Sequence, residues 1–187
     1  PDQSPPALPT HRVIRGQPCG EDLLPRLEPF ATVERLPDRR ALLARMREPA
    51  AFAQGATGTG TIGLYTGRKP VAAMLRVDRE ATDVMLEAGL SEGSRGLDVN
   101  ALSVIIERAY GADTTELAGN GQLWYVKDAA EATAQVDAQE ASAAFILDEM
   151  PAAAISSVAE AGEVMPQKST YFNPKAPTGL VLNPLEP

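Results

Sequence analysis

The sequence contains one cysteine, Cys19, so no disulfide can form within the chain. That fits a reducing compartment, and the expectation is a cytoplasmic protein. It contains one histidine, His11. A two-histidine metal site or an H-E-x-x-H zinc motif made by this chain alone is therefore excluded. Any Ser-His-Asp or Cys-His pair would have to use His11, and the G-x-S-x-G pattern of a nucleophile elbow is absent. Aromatic residues make up only 5% of the chain, so Ala, Leu, Val and Ile must fill the core. No apolar run approaches the roughly 18 residues of a membrane span. The first residues, Pro1 to Pro9, have neither the basic nor the apolar region of a signal peptide. No membrane association is expected.

What is present describes a globular chain. A length of 187 residues is enough to bury roughly 70% of the unfolded surface in one core, so a single domain over residues 1–187 is expected. The net charge of -8 is uneven. Residues 1–90 hold 12 basic and 11 acidic side chains, whereas residues 91–187 hold 5 and 14. The acidic half opposes nucleic-acid binding, which needs clustered Lys and Arg. The chain opens in a Pro-rich stretch without an initiator Met, which points to a piece of a longer protein.

Strands and helices interleave irregularly. Leu8–Arg15 and Phe30–Leu36 read as strands. Ile62–Thr66 and Val71–Val77 read as a hairpin joined by Gly67-Arg68-Lys69-Pro70. Ala143–Leu147 reads as a buried strand, Leu123–Lys127 as a short one and Thr178–Leu182 as the last. Glu21–Leu27 offers one or two helical turns, weakened by Pro25. Asp38 is placed to cap a helix running to about Arg47. Arg79–Ala88 looks helical with Gly89 as a stop, followed by a small-residue loop, Leu90–Gly96. The strongest helix is Asp98–Tyr110, with Asp98 as cap, a buried stripe of Val99, Leu102, Ile105, Ile106 and Ala109, and Gly111 at its end. Asp128 and Glu131 form a capping-box pattern opening an Ala-rich helix. Pro151–Ala161 closes at Gly162. This pattern predicts an α+β fold with a mixed or largely antiparallel sheet, flanking helices and at least one β-hairpin.

Two motifs imitate phosphate loops. Gly58-Thr59-Gly60-Thr61-Ile62-Gly63 matches G-x-G-x-x-G, but that motif needs a helix after it, and residues 62–65 read as strand. Gly162–Ser169 matches a Walker A pattern except that Gln167 replaces the second glycine. Lys168, Ser169 and Thr170 could still meet an anion through an ammonium and two hydroxyls. A hydrogen-bonded turn is the plainer use of the same residues. The helix from Asp38 carries Arg39, Arg40, Arg45 and Arg47 on one side, a phosphate patch or simply a solvated face. His11 with Arg12 forms a second polar cluster, though a lone histidine on a strand is more often structural.

Leu8–Gly16, Gly63–Gly67, Leu97-Asp98-Val99, Ala161–Phe172 and Thr178–Val181 together, in that order, resemble the C-terminal half of the prokaryotic domain-of-unknown-function family 1015. The segment Met165-Pro166-Gln167-Lys168-Ser169-Thr170-Tyr171-Phe172 carries the resemblance most specifically. It departs at Ser103, where the family tends to have histidine, and at Asn173, where it tends to have an aromatic. The resemblance implies a cytosolic prokaryotic protein. It also implies an N-terminal half with a D-G-H-H-R motif reminiscent of ParB-like proteins, some of which act as free serine kinases; this chain lacks that motif.

On this basis the chain is expected to form part of a small-molecule phosphoryl-transfer enzyme, kinase-like, acting on an amino acid or similar polar metabolite. Lys168, Ser169, Thr170, His11 and Arg12 are the expected substrate or anion contacts, with a nucleotide and Mg²⁺ as cofactors. The alternative is a non-catalytic ligand-binding or protein-interaction module, alone or as a homo-oligomer.

Overall fold

The strands of the computed structural model, which describes residues 8–48, 57–67 and 72–171, are β1 (Leu8–Pro9), β2 (His11–Ile14), β3 (Ala31–Leu36), β4 (Thr61–Tyr65), β5 (Ala72–Val77), β6 (Leu123–Val126), β7 (Ala143–Leu147) and β8 (Thr170–Tyr171). The helices are α1 (Leu24–Leu27), α2 (Arg39–Arg45), α3 (Arg79–Asp83), α4 (Glu92–Arg95), α5 (Asp98–Tyr110), α6 (Thr114–Gly119), α7 (Ala129–Asp137) and α8 (Ala152–Glu160). Six strands form one sheet in the order β3-β5-β4-β7-β2-β6, and β1 pairs with β8 apart from it. Every pairing is antiparallel. The fold is α+β, as the irregular alternation of elements predicts.

Neighbouring residues of one strand point to opposite faces, and here both faces are buried. Ile62 and Leu64 of β4, and Ala143, Phe145 and Leu147 of β7, join one apolar cluster with α1, α5 and α8. Tyr65 of β4, and Ala144 and Ile146 of β7, join a second cluster under α2 and α7. Helices therefore cover both sides. Gly63 lets α2 sit close: an added Cβ would lie 3.0 Å from Leu42 Cδ1, 3.1 Å from Met46 Sδ and 3.2 Å from Ile146 Cβ.

Local chemistry explains most element ends. Asp38 accepts Ala41 N–H at 2.7 Å and Asp128 accepts Glu131 N–H at 2.8 Å, so both expected caps are present. Gly111 ends α5 in the left-handed region at φ 77°, where a Cβ is costly. The predicted hairpin strands pair as β4 and β5; residues 68–71 of their turn lie outside the described residues, as does Thr178–Leu182.

Several expectations are corrected. Leu8–Arg15 is two strands, because Leu8–Pro9 pairs with Tyr171 and Thr170 while His11–Ile14 joins the main sheet. Arg79–Ala88 stays helical only to Asp83. Arg95 takes the carbonyls of Asp83, Glu87 and Leu90 at 2.9, 3.2 and 3.1 Å, holding residues 84–90 in a turn around its guanidinium. The supposed loop Leu90–Gly96 contains α4, capped by Ser91 Oγ on Ser94 N–H at 3.2 Å. Asp113 caps α6, accepting Thr115 and Glu116 N–H, both at 2.8 Å. Asp98 is not the cap of α5: Leu97 occupies that position, and the Asp98 carboxylate turns away to the Gly-rich loop.

Candidate functional site

The structure brings the two predicted polar clusters together and then separates their side chains. Pairing of β1 with β8 sets Pro9 opposite Thr170. Thr10 donates its hydroxyl to the Lys168 carbonyl. Arg12 Nη1 donates to Thr10 O at 2.6 Å, to Thr10 Oγ1 at 3.0 Å and to Lys168 O at 3.4 Å. The guanidinium also lies 4.5 Å from the Tyr125 ring centroid, a cation–π position. Arg12 is 3% exposed, and burial lowers its pKa to about 10.

Lys168 thus serves this junction with its backbone carbonyl, at φ 57°, while its side chain is exposed. Ser169 is buried and its N–H donates to Pro166 O at 3.2 Å. Thr10, Arg12 and residues 166–170 therefore make a hydrogen-bonded clasp between the two ends of the described chain. Glu163 extends it by accepting Ser91 N–H at 2.6 Å and the hydroxyls of Ser91 and Ser94. Those donors hold its carboxyl below the usual range.

The Gly-rich loop does bind an oxyanion, and it is the protein's own. Thr59 N–H donates to Asp98 Oδ2 at 2.7 Å and Gly60 N–H to Asp98 Oδ1 at 2.9 Å. Arg79 pairs with the same carboxylate. A Cβ on Gly58 would come within 2.7 Å of Asp98 and of Gly96 O, so glycine is required by close approach. Asp148 reaches the other side of the loop, 3.0 Å from Thr59 Oγ1 and 3.2 Å from Thr61 Oγ1. Burial raises its pKa. Backbone amides that could have met a phosphate are taken by Asp98.

His11 lies on the opposite face from Arg12, as alternation along β2 requires. It faces α2 and α7 and is 5% exposed. Its Nδ1 accepts Leu147 N–H at 3.3 Å, which places the ring proton on Nε2. Burial lowers its pKa to about 4, against the opposing pull of Asp128, so the ring is neutral at physiological pH. No acceptor for Nε2–H is found among the described residues.

The ring lines a cleft of about 200 Å³ between the end of α2, the start of α7 and the end of β7. Arg47, Lys127, Asp128 and Glu149 stand around it. Ala129 and Ala130, the first two residues of α7, complete the wall. Their N–H groups have no intrahelical partner. The sequence singled out His11, but not this cleft, which is assembled from four separate segments. From the sequence, Asp128 is a helix cap and Arg47 part of a charged helix face, with nothing to join them.

Among the described residues no three His, Cys, Asp or Glu side chains converge as metal ligands, and no helix is long and apolar enough to cross a membrane. No family model, curated protein or solved structure matches the chain.

Proposed function

We propose that this chain is a ligand-binding module that takes a compact polar metabolite into the cleft at the start of α7. One observation carries the reading: a 95%-buried neutral imidazole has its Nε2–H directed to an open cleft rather than to a protein acceptor. Solvent reaches that N–H through the cleft, and a ligand acceptor would take the place of water there. The mixed-charge wall suits a polar molecule better than an apolar one. The cleft of about 200 Å³ has room for a small polar molecule.

Phosphoryl transfer to such a metabolite is the catalytic form of this reading, and the resemblance to family 1015 belongs with it. It would require a nucleotide with Mg²⁺ beyond the cleft. The Gly-rich loop offers no seat for one while Asp98 holds its amides. Binding without turnover is therefore the form that the geometry favours.

Thermal unfolding in the presence of serine, phosphoserine, inorganic phosphate, and ATP with and without Mg²⁺ tests the reading. A ligand at 100 times its dissociation constant adds about 2.7 kcal/mol of stability, a rise of several degrees. A rise with a compact ligand that His11→Gln abolishes supports the cleft. A Mg²⁺-dependent rise with ATP alone, lost in Lys168→Ala, would instead restore the phosphotransferase reading with its site at the clasp.

A further inference from the structure

We infer that the clasp holds a second binding site, in which the free edge of the Arg12 guanidinium takes an external oxyanion, a carboxylate or phosphate group. This site does not depend on the cleft, because Arg12 and His11 lie on opposite faces of β2. Arg12 carries a charge without a counter-charge. It is 3% exposed, yet no carboxylate pairs with it among the described residues. Its pKa, lowered by burial to about 10, leaves it protonated at neutral pH. An arginine buried this deeply is ordinarily paired, because a desolvated charge is costly alone.

Only part of the guanidinium is spent on the protein. Nη1 makes all three of its hydrogen bonds, to Thr10 O, Thr10 Oγ1 and Lys168 O at 2.6, 3.0 and 3.4 Å. Nε–H and Nη2–H have no acceptor among the described residues. These two donors form one side of the planar fork, the side that grips a carboxylate or phosphate through two parallel bonds. That edge reaches solvent: among the described residues, the wholly occluded side-chain polar atoms without a partner are Asp83 Oδ1 and Tyr110 Oη. A further donor is close by. Tyr125 stands opposite Arg12 across the β2–β6 pair, with its ring centroid 4.5 Å from Arg12 Cζ. Its hydroxyl also has no acceptor among the described residues. Carbonyls and a ring attract the cation without neutralising it, so an anion is the partner still missing.

The experiment titrates the isotope-labelled full chain with inorganic phosphate at pH 7 and constant ionic strength, with chloride as the control. Nitrogen-15 NMR reads the Arg12 Nε signal, assigned by its loss in Arg12→Lys. The signal should shift and saturate with phosphate and stay unmoved with chloride. Acetate is the second arm, and the tighter of the two anions names the head group. Arg12→Lys keeps the charge but loses the two-donor edge. It should bind the anion at least about tenfold more weakly, the effect of losing one hydrogen bond to a charged group. Arg12 also ties Thr10 to Lys168, so this variant is checked for folding first. Tyr125→Phe keeps the ring and removes only the hydroxyl. It should fold as the parent does and weaken binding similarly.

The inference is overturned if neither anion moves the Arg12 Nε signal, or if a folded Arg12→Lys variant binds as tightly as the parent. Should Arg12→Lys not fold, Tyr125→Phe binding at parental strength overturns it instead. It also fails if the anions move His11 and leave Arg12 unchanged, a result that would assign them to the cleft.

Discussion

Asp98 accepts the backbone N–H of Thr59 at 2.7 Å, 39 residues away in sequence, and in doing so converts a Gly-rich loop into a structural latch. The carboxylate sits at the first turn of α5, where an acidic group is favoured by the dipole. It serves the loop and Arg79 together rather than its own helix. Four donors converge on one side chain: two amides, one hydroxyl and a guanidinium.

Removing that acceptor should be costly. Asp98→Ala strands the Thr59 and Gly60 amides and leaves Arg79 unpaired, so about 3 kcal/mol of stability should be lost. The melting temperature should fall by roughly 6–12 °C. Asp98→Asn, which keeps one acceptor oxygen, should cost less. Equal losses in the two variants, read by urea unfolding, would contradict the latch.

Gly58 should tolerate no side chain. A Cβ there meets Asp98 and Gly96 O within 2.7 Å, so Gly58→Ala should destabilise by about 1–3 kcal/mol. The same change at Gly119, where nothing lies within 4 Å, should stabilise or leave the fold unchanged, because glycine within a helix is unfavourable. Circular-dichroism melts of the two variants make the comparison.

Asp148 should behave oppositely to Asp98. Both carboxylates approach the Thr59 hydroxyl, Asp98 at 3.1 Å and Asp148 at 3.0 Å, and one hydroxyl has one proton to give. Burial and the neighbouring Asp98 charge raise the Asp148 pKa. A raised folded pKa means that the folded state binds more protons, so this contribution is fully present below the ordinary value of 3.8 and is lost as pH rises through the folded value. Asp148→Asn, which imitates the protonated group, should therefore stabilise the chain at pH 7. A destabilised variant would mean that ionised Asp148 is an asset to the fold.

His11 contributes with the reverse sign. Its folded pKa is about 4, against 6.5 when exposed, through burial. The unfolded chain therefore binds more protons between those values, and stability rises with pH across that window. The contribution is fully present above pH 6.5 and is lost as pH falls toward 4, amounting to about 3 kcal/mol. Urea unfolding at pH 4, 5, 6 and 7 should show a slope that His11→Gln flattens. Identical slopes in both proteins would place the imidazole in water.

Local signals carried most of the fold. The hairpin of β4 and β5, the caps Asp38 and Asp128, and the buried stripe of α5 were legible because each depends on residues a few positions apart. Features decided by distant partners were not. Arg95 shortens α3 from 12 positions away by claiming the Asp83 carbonyl. Thr10 and Arg12 break the first strand because Lys168 lies beside them, 158 and 156 residues on. For the site, the sequence pointed to His11 and Arg12 as a pair, but alternation in β2 sends them to opposite faces. The glycine motif read as a loop without a phosphate, and nothing near it in sequence indicated that its amides would hold Asp98. The cleft needed residues near 11, 47, 129 and 149 at once, a juxtaposition no local pattern encodes.

Because His11 is the only histidine, nitrogen-15 NMR of its imidazole requires no assignment and tests the central claim most directly. The account predicts a neutral ring protonated on Nε2, unchanged between pH 5.5 and pH 8 because its pKa is about 4, with an Nε2 signal that moves when a compact polar ligand is added. A ring that titrates near 6.5, or one whose signal ignores every such ligand, would contradict it.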